Sequence, residues 1–345
     1  MALGGFLPNA PVVNVAVIVV TAGFIWLGSG WLEESAEYLA SHYGLPAVVQ
    51  GSVVVAVGSS FPELASVVVA ASGGSFGLGV GAVVGSAIFN ILVIPALSGI
   101  VTDGPLDVSR TVVYKEAQFY MIAVSALLIT FALAVIYFPT GGNNALEGSI
   151  TRPLALIPIL LYGLYLFIQW QDVGDYESND TVEGVSIPRE WGRLGAGLLV
   201  ILVAVESLVG AVKGLNAAFG TPEFIAGVTI IAAATSLPDA LVSVRAARGG
   251  KGVTSLGNVL GSNTFDLLVA IPVGVLIAGS APVSFSVAAP MMGVLTVATI
   301  LLFTLLRTGL RLGRAESYAL LLAYLVFIGW VVGEAVGVFG LIQGT

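Results

Sequence analysis

Gly58-Ser59-Ser60-Phe61-Pro62-Glu63 interrupts an otherwise apolar segment running from Leu45 to Ala71. A carboxylate in the middle of a membrane-length stretch is costly, and by default it marks a functional site. Gly58 and Pro62 break the helix there, and a broken helix frees backbone carbonyls beside the acid. The same device recurs as Ala234-Thr235-Ser236-Leu237-Pro238-Asp239.

The surrounding composition belongs to a polytopic membrane protein. Of 345 residues, 57% are apolar and 9% charged, where a soluble chain carries roughly 25% charged residues. The 44 glycines suit close helix packing in lipid. With no cysteine there are no disulfides, thiolate metal sites or cysteine nucleophiles. A net charge of -8 speaks against nucleic acid. The first segment has no Lys or Arg before it and does not read as a cleaved signal peptide.

Apolar windows of about 20 residues place ten spans near 11–31, 45–71, 77–101, 117–138, 152–170, 194–213, 222–247, 254–279, 285–306 and 316–341. The stretch Glu33–Gly44 is amphipathic and is expected at the membrane surface. The most polar stretch, 172–191, reads as a linker between halves 1–171 and 192–345. Loops after odd-numbered spans hold Arg110, Lys115, Arg189, Arg193, Arg245, Arg248, Lys251, Arg307, Arg311 and Arg314; the others hold Arg152 and Lys213. Ten against two puts the odd loops in the cytoplasm and both termini outside. Two halves of five spans must then enter the membrane in opposite senses, the inverted-repeat plan of secondary transporters. The expected fold is therefore an all-α, ten-helix membrane protein with broken helices at spans 2 and 7.

A duplication is also visible in the residues. Ser60 and Ser236, Pro62 and Pro238, Glu63 and Asp239, Gly81 and Gly257, Gly85 and Gly261, Ser86 and Ser262, Phe89 and Phe265, and Asn90 and Asp266 all lie 176 positions apart. Each half thus supplies a second polar cluster, Gly85-Ser-Ala-Ile-Phe-Asn90 or Gly261-Ser-Asn-Thr-Phe-Asp266. Ser86 with Asn90 and Ser262 with Asp266 are i, i+4 pairs on one helix face. Gly77, Gly81 and Gly85 form a small-residue stripe on the third span, with Gly257 and Gly261 on the eighth. Folding the halves together would gather Glu63, Asp239, Asp266, Asn90 and several hydroxyls near the midplane.

That donor set is all oxygen. Ca²⁺ takes about six to eight oxygens in flexible geometry, Na⁺ is likewise hard, and nothing soft favours Zn²⁺ or Cu⁺. Several buried acids must be neutralised by a cation or proton in every state, which is a physical basis for obligatory exchange. A cation channel would need an oligomeric ring or a continuous polar lining. An enzyme would need a metal-ligand histidine set, a phosphate cradle or a nucleophile with its base, and none is written here.

These two motif pairs resemble the alpha-repeats of the cation/calcium antiporter superfamily, and within it the sodium/calcium exchangers. The resemblance implies antiport of Na⁺ for Ca²⁺ by alternating access in the plasma membrane, with the ions as cargo, no cofactor and no obligatory protein partner beyond the bilayer. It implies Glu63 and Asp239 as central Ca²⁺ carboxylates, with backbone oxygens from Ser59 and Thr235. Ala56 and Ala232 carbonyls, Ser60, Ser86, Asn90, Ser236, Ser262 and Asp266 would line Na⁺ sites. Spans 1 and 6 would slide across a core of spans 2, 3, 7 and 8. Asp239 stands where many sodium/calcium exchangers have Glu, and with Asp266 it is similar to the potassium-dependent branch, so K⁺ co-transport is open. Proton/calcium exchangers carry a different repeat motif and form the rival reading.

The plainer readings are a capping box, Ser60-x-x-Glu63, and interhelical hydrogen-bonding roles for the serines and Asn90. Glu206 and Glu334 are expected at the interface, the tryptophans in interface belts, and the acids of the linker in solvent.

Overall fold

The computed structural model describes residues 10–44, 56–140, 146–171 and 186–339. Among them, eight helices are long and apolar enough to cross a membrane, and a ninth span comes from a bent pair. The first half contains α1 (Pro11–His42), the short α2 (Ala56–Ser59), α3 (Phe61–Ser72), α4 (Phe76–Val101), α5 (Ala117–Tyr137) and α6 (Arg152–Gln171). The second contains α7 (Ile187–Phe219), α8 (Glu223–Ala226), α9 (Ala232–Thr235), α10 (Leu237–Arg248), α11 (Gly252–Phe265), α12 (Ile271–Ala278), α13 (Phe285–Arg307) and α14 (Arg314–Ala335). π-helical turns at Gly227–Ile231 and Asp266–Ala270 join α8 to α9 and α11 to α12. The expected span 45–71 begins outside the described residues.

Some expectations change. The Glu33–Gly44 stretch is not a separate surface element but the last turns of α1, which runs unbroken for 32 residues. Helix α7 begins at Ile187, inside the expected linker, while 172–185 lies outside the described residues. Glu334 stands at the end of α14, where it is buried against neighbouring side chains and accepts a hydrogen bond from Trp330 Nε1 at 3.1 Å. The fold is also not wholly helical. Strand β1 (Leu106–Asp107) pairs antiparallel with β4 (Arg311–Leu312), and β2 (Glu147–Thr151) with β3 (Ser280–Ser284). These strands are short loop segments whose backbone groups pair across the bundle end, a local pairing that hydropathy does not register.

Burial separates a core from a lipid-facing shell. The most apolar windows of α4 and of the α11–α12 span are 89% and 78% buried, against 28–50% for the other long helices. Shell helices expose Val19, Leu160, Leu199 and Leu325 outward, as lipid permits. Helix α4 crosses the α8–α9 segment with backbone against backbone. A Cβ at Gly81 would come within 2.4 Å of Phe224 O, at Gly85 within 2.3 Å of Val228 O, and at Gly227 within 2.3 Å of Leu78 O. Only glycine permits that approach. Gly77 and Gly257 meet nothing within 4 Å, so close approach is required at Gly81 and Gly85 and not at those two positions.

Helices α1 and α7 pack antiparallel. A Cβ at Gly28 would lie 2.9 Å from the Ile201 side chain, Ser35 donates to Glu190 at 3.0 Å, and Arg193 pairs with Glu34. Contacts between connecting segments also sort by side. Arg307 stacks on Tyr114 and Arg311 bonds Asp107. At the other end Lys213 reaches Gly73 O, Ser75 reaches Glu223, and Arg152 reaches Leu276 O.

Candidate cation site

Each acid of the broken segments sits in the first turn of a 12-residue helix, Glu63 in α3 and Asp239 in α10. The breaks fall at Ser60 (φ -89, ψ 5) and Ser236 (φ -78, ψ -4), and the second half's halves bend by 46°. Pro62 and Pro238 lack the N–H that would bond the carbonyl four residues back. The carbonyls so deprived are those of Gly58 and Ala234. The resemblance points instead to Ala56 and Ala232, and Ala232 O already accepts from Ser236 N at 3.0 Å and from the Thr235 hydroxyl at 3.4 Å. Ala56 opens α2.

The side chains of the two halves interleave. Ser86 Oγ donates to Glu63 Oε1 at 3.2 Å and accepts from Ser236 Oγ at 2.7 Å. Asn90 Nδ2 donates to Asp239 Oδ2 at 2.9 Å and to Asn263 Oδ1 at 3.0 Å. Ser59 and Ser262 lie beside Asp239, and Thr235 lies beside Glu63, with the Thr235 hydroxyl donating to Ile231 O at 3.1 Å and the Ser262 hydroxyl to Val259 O at 3.3 Å. Ser60 lies beside Asp266, which also faces Glu63 and Asp239. Positions 59 and 235 therefore each serve the acid of the opposite half, while 86 and 262 each serve their own. Glu63, Asp239, Asp266, Asn90, Ser59, Ser60, Ser86, Thr235, Ser236 and Ser262 are all fully buried.

Burial leaves oxygens unanswered. Ser60 Oγ, Glu63 Oε2, Asn90 Oδ1, Asp239 Oδ1 and both carboxylate oxygens of Asp266 are buried without a hydrogen-bond partner. Unpaired buried carboxylates cost several kcal/mol, and native proteins leave few such groups. Neither Arg193–Glu34 nor Arg311–Asp107, the ion pairs among the described residues, involves these acids. Also among the described residues, no three His, Cys, Asp or Glu side chains are placed to hold a metal by themselves. Any cation here must share carboxylates with hydroxyl, amide and backbone oxygens, a donor set that suits a hard ion.

Two further residues complete the cage. Asn263 Nδ2 donates to Ala87 O at 3.1 Å and to Tyr120 Oη at 3.3 Å, which ties α11 to α4 and α5. Tyr120 is fully buried. Asn263 was legible as the neighbour of Ser262 in its motif, and its counterpart 176 positions back is the Ala87 whose carbonyl it meets. Tyr120 had no such signal, because an aromatic in a span reads as lipid-facing packing. Asp266 opens the π-helical turn. Pro272 follows it and has no N–H to offer Leu268, and wide turns of this kind gather at functional sites.

A helical membrane protein whose core encloses an acid-and-hydroxyl cage belongs with the ion transporters rather than with enzymes. A profile of the family described as sodium/calcium exchanger protein matches residues 13–171 and 190–333. The chain belongs to that family. It is 27% identical to an uncharacterized membrane protein of Methanocaldococcus jannaschii over 92% of this chain and 97% of that one. It is 24% identical to the sodium/calcium exchanger MaX1 of Methanosarcina acetivorans over 92% and 97%. Among solved structures it resembles the sodium-calcium exchanger NCX_Mj at 25% identity, with a TM-score of 0.63 over 93% of this chain and 99% of that one.

Proposed function

We propose that this protein is a Na⁺/Ca²⁺ antiporter that moves both ions through one cage by alternating access. The observation that carries the reading is the set of buried, partnerless oxygens drawn from both halves of the chain. Negative charge in that number cannot cross or rest in a membrane uncompensated. A divalent ion and a group of monovalent ions are interchangeable ways to neutralise it. Glu63 and Asp239 hold Ca²⁺ with help from Ser59 and Thr235. Asp266, Asn90, Ser60, Ser86, Ser236 and Ser262 serve Na⁺, with the Gly58 and Ala234 carbonyls added to those of Ala56 and Ala232.

The matching environments at 59 and 235, 63 and 239, and 86 and 262 support two repeats of opposite sense, as does the antiparallel packing of α1 on α7. The positions of the connecting segments support the ten-span reading. Tyr43 lies beside Trp191, near the start of α7, whereas Gly73 lies beside Lys213, near its end. Tyr43 and Gly73 thus sit near opposite ends of α7, which supports counting the segment that ends in α3 as a further span. We place the halves at 1–171 and 192–345, the odd loops in the cytoplasm and both termini outside the cell membrane.

The test is Ca²⁺ flux in proteoliposomes under imposed gradients of Na⁺, K⁺ or H⁺. Na⁺ gradients should drive Ca²⁺ movement, Glu63→Gln should abolish it, and Asp266→Asn should retain part of it with altered monovalent coupling. A K⁺ requirement would place the protein in the potassium-dependent branch. Flux driven by pH alone would replace the reading with proton/calcium exchange.

A further inference from the structure

Helix α6 closes the first half of the chain and packs on the π-helical turn of the second. Its Tyr162 meets Phe265 edge to face, with ring centroids 5.7 Å apart and an interplanar angle of 73°. The residue after Phe265 is Asp266. Tyr162 Oη is buried without a hydrogen-bond partner, and the charged group facing it is Asp266. Both carboxylate oxygens of Asp266 are equally unanswered, as is Ser60 Oγ beside the same acid.

The other half supplies the comparison. Helix α14 closes it, and Tyr324 of α14 meets Phe89 edge to face at 5.6 Å and 84°. Phe89 and Phe265 lie 176 positions apart, so each half lays a tyrosine of its last helix on the motif phenylalanine of the other. Phe89, however, is followed by the neutral Asn90. Tyr324 is only half-buried, and among the described residues no charged side chain faces its hydroxyl. The ring contact is thus common to both halves, and a phenylalanine would serve it as well. What sets Tyr162 apart is a buried, unanswered hydroxyl facing an unanswered acid, and native proteins leave few such groups.

We propose that Tyr162 lends its hydroxyl oxygen to a monovalent cation held at Asp266, which makes α6 part of the cage and tunes its affinity for Na⁺ rather than for Ca²⁺. This rests on the antiport reading, in which Ca²⁺ is held by Glu63 and Asp239. A phenol oxygen has lone pairs to offer a cation. It adds a ligand without adding negative charge, which suits an ion of single charge beside a single carboxylate.

The experiment removes one oxygen from the full-length protein. In proteoliposomes Tyr162→Phe should raise the half-saturating Na⁺ for Ca²⁺ flux at least about twofold, because a loss of about tenfold at one site is spread over the Na⁺ that move together. Ca²⁺/Ca²⁺ exchange measured without Na⁺ should keep its wild-type Ca²⁺ dependence. In detergent without Ca²⁺, added Na⁺ should raise the melting temperature less than it does for wild type. Tyr324→Phe, which loses the matching hydroxyl of the other half, should behave as wild type throughout. In an Asp266→Asn background, Tyr162→Phe should add no further shift. Tyr162→Met also lacks the hydroxyl and reads the same way should Tyr162→Phe not fold. Wild-type Na⁺ dependence of flux and melting in a folded variant without the hydroxyl overturns the inference. So does an equal shift in Ca²⁺ dependence, in Tyr324→Phe, or on top of Asp266→Asn. Failure of the wild-type protein to move Ca²⁺ against Na⁺ would instead overturn the antiport reading.

Discussion

Replacing Gly85 by alanine tests the physical frame of the site. The new Cβ would stand 2.3 Å from Val228 O, 2.6 Å from Val228 Cα and 2.8 Å from Ala232 Cβ, where ordinary contact begins at 3.4 Å. The two nearest obstacles are backbone atoms, so relief requires α4 and the α8–α9 segment to part by about 1 Å. Overpacking of this kind costs about 1–3 kcal/mol, set against a helix-propensity gain of about 1 kcal/mol. The net loss should lower the melting temperature by a few degrees, at about 2–4 °C per kcal/mol for larger domains. Transport should suffer more. Ser86 and Asn90 ride on the same helix, and their bonds to Ser236 at 2.7 Å and Asp239 at 2.9 Å do not survive such a shift. The assay is Na⁺-driven Ca²⁺ flux in proteoliposomes beside thermal unfolding in detergent. Gly77→Ala serves as the control, since nothing lies within 4 Å of that position. Wild-type flux and melting in Gly85→Ala would refute the claim that the helix crossing holds the cage together.

Asn90→Ala removes the donor to Asp239 and the link to Asn263. A hydrogen bond to a charged group contributes about 1.5–3 kcal/mol, so the half-saturating Ca²⁺ should rise at least about tenfold in flux titrations. Asp107→Asn breaks the exposed pair with Arg311, and such pairs contribute about 0–1 kcal/mol; melting and transport should both stay near wild type, and a large loss would mean that the β1–β4 ribbon has a further role.

Much of this protein was legible in the chain itself. Apolar length, the rarity of charge and the spacing of Lys and Arg determine a polytopic membrane protein, because hydrocarbon imposes its thickness on sequence. The repeat was equally legible, since an acid that costs free energy in lipid stands out wherever it recurs. Glu63, Asp239, Asp266 and the hydroxyls around them were all named by that rule, and the fold brings them into one buried cage. Tertiary structure alone decided which oxygens answer one another. Hydrogen bonding across 149 positions, as from Asn90 to Asp239, depends on how two helices cross, and no local pattern encodes that crossing. The same holds for Tyr120 behind Asn263 and for the Ala232 carbonyl already engaged within its helix. Composition determines what a segment can tolerate around it, whereas a contact is a property of two segments at once.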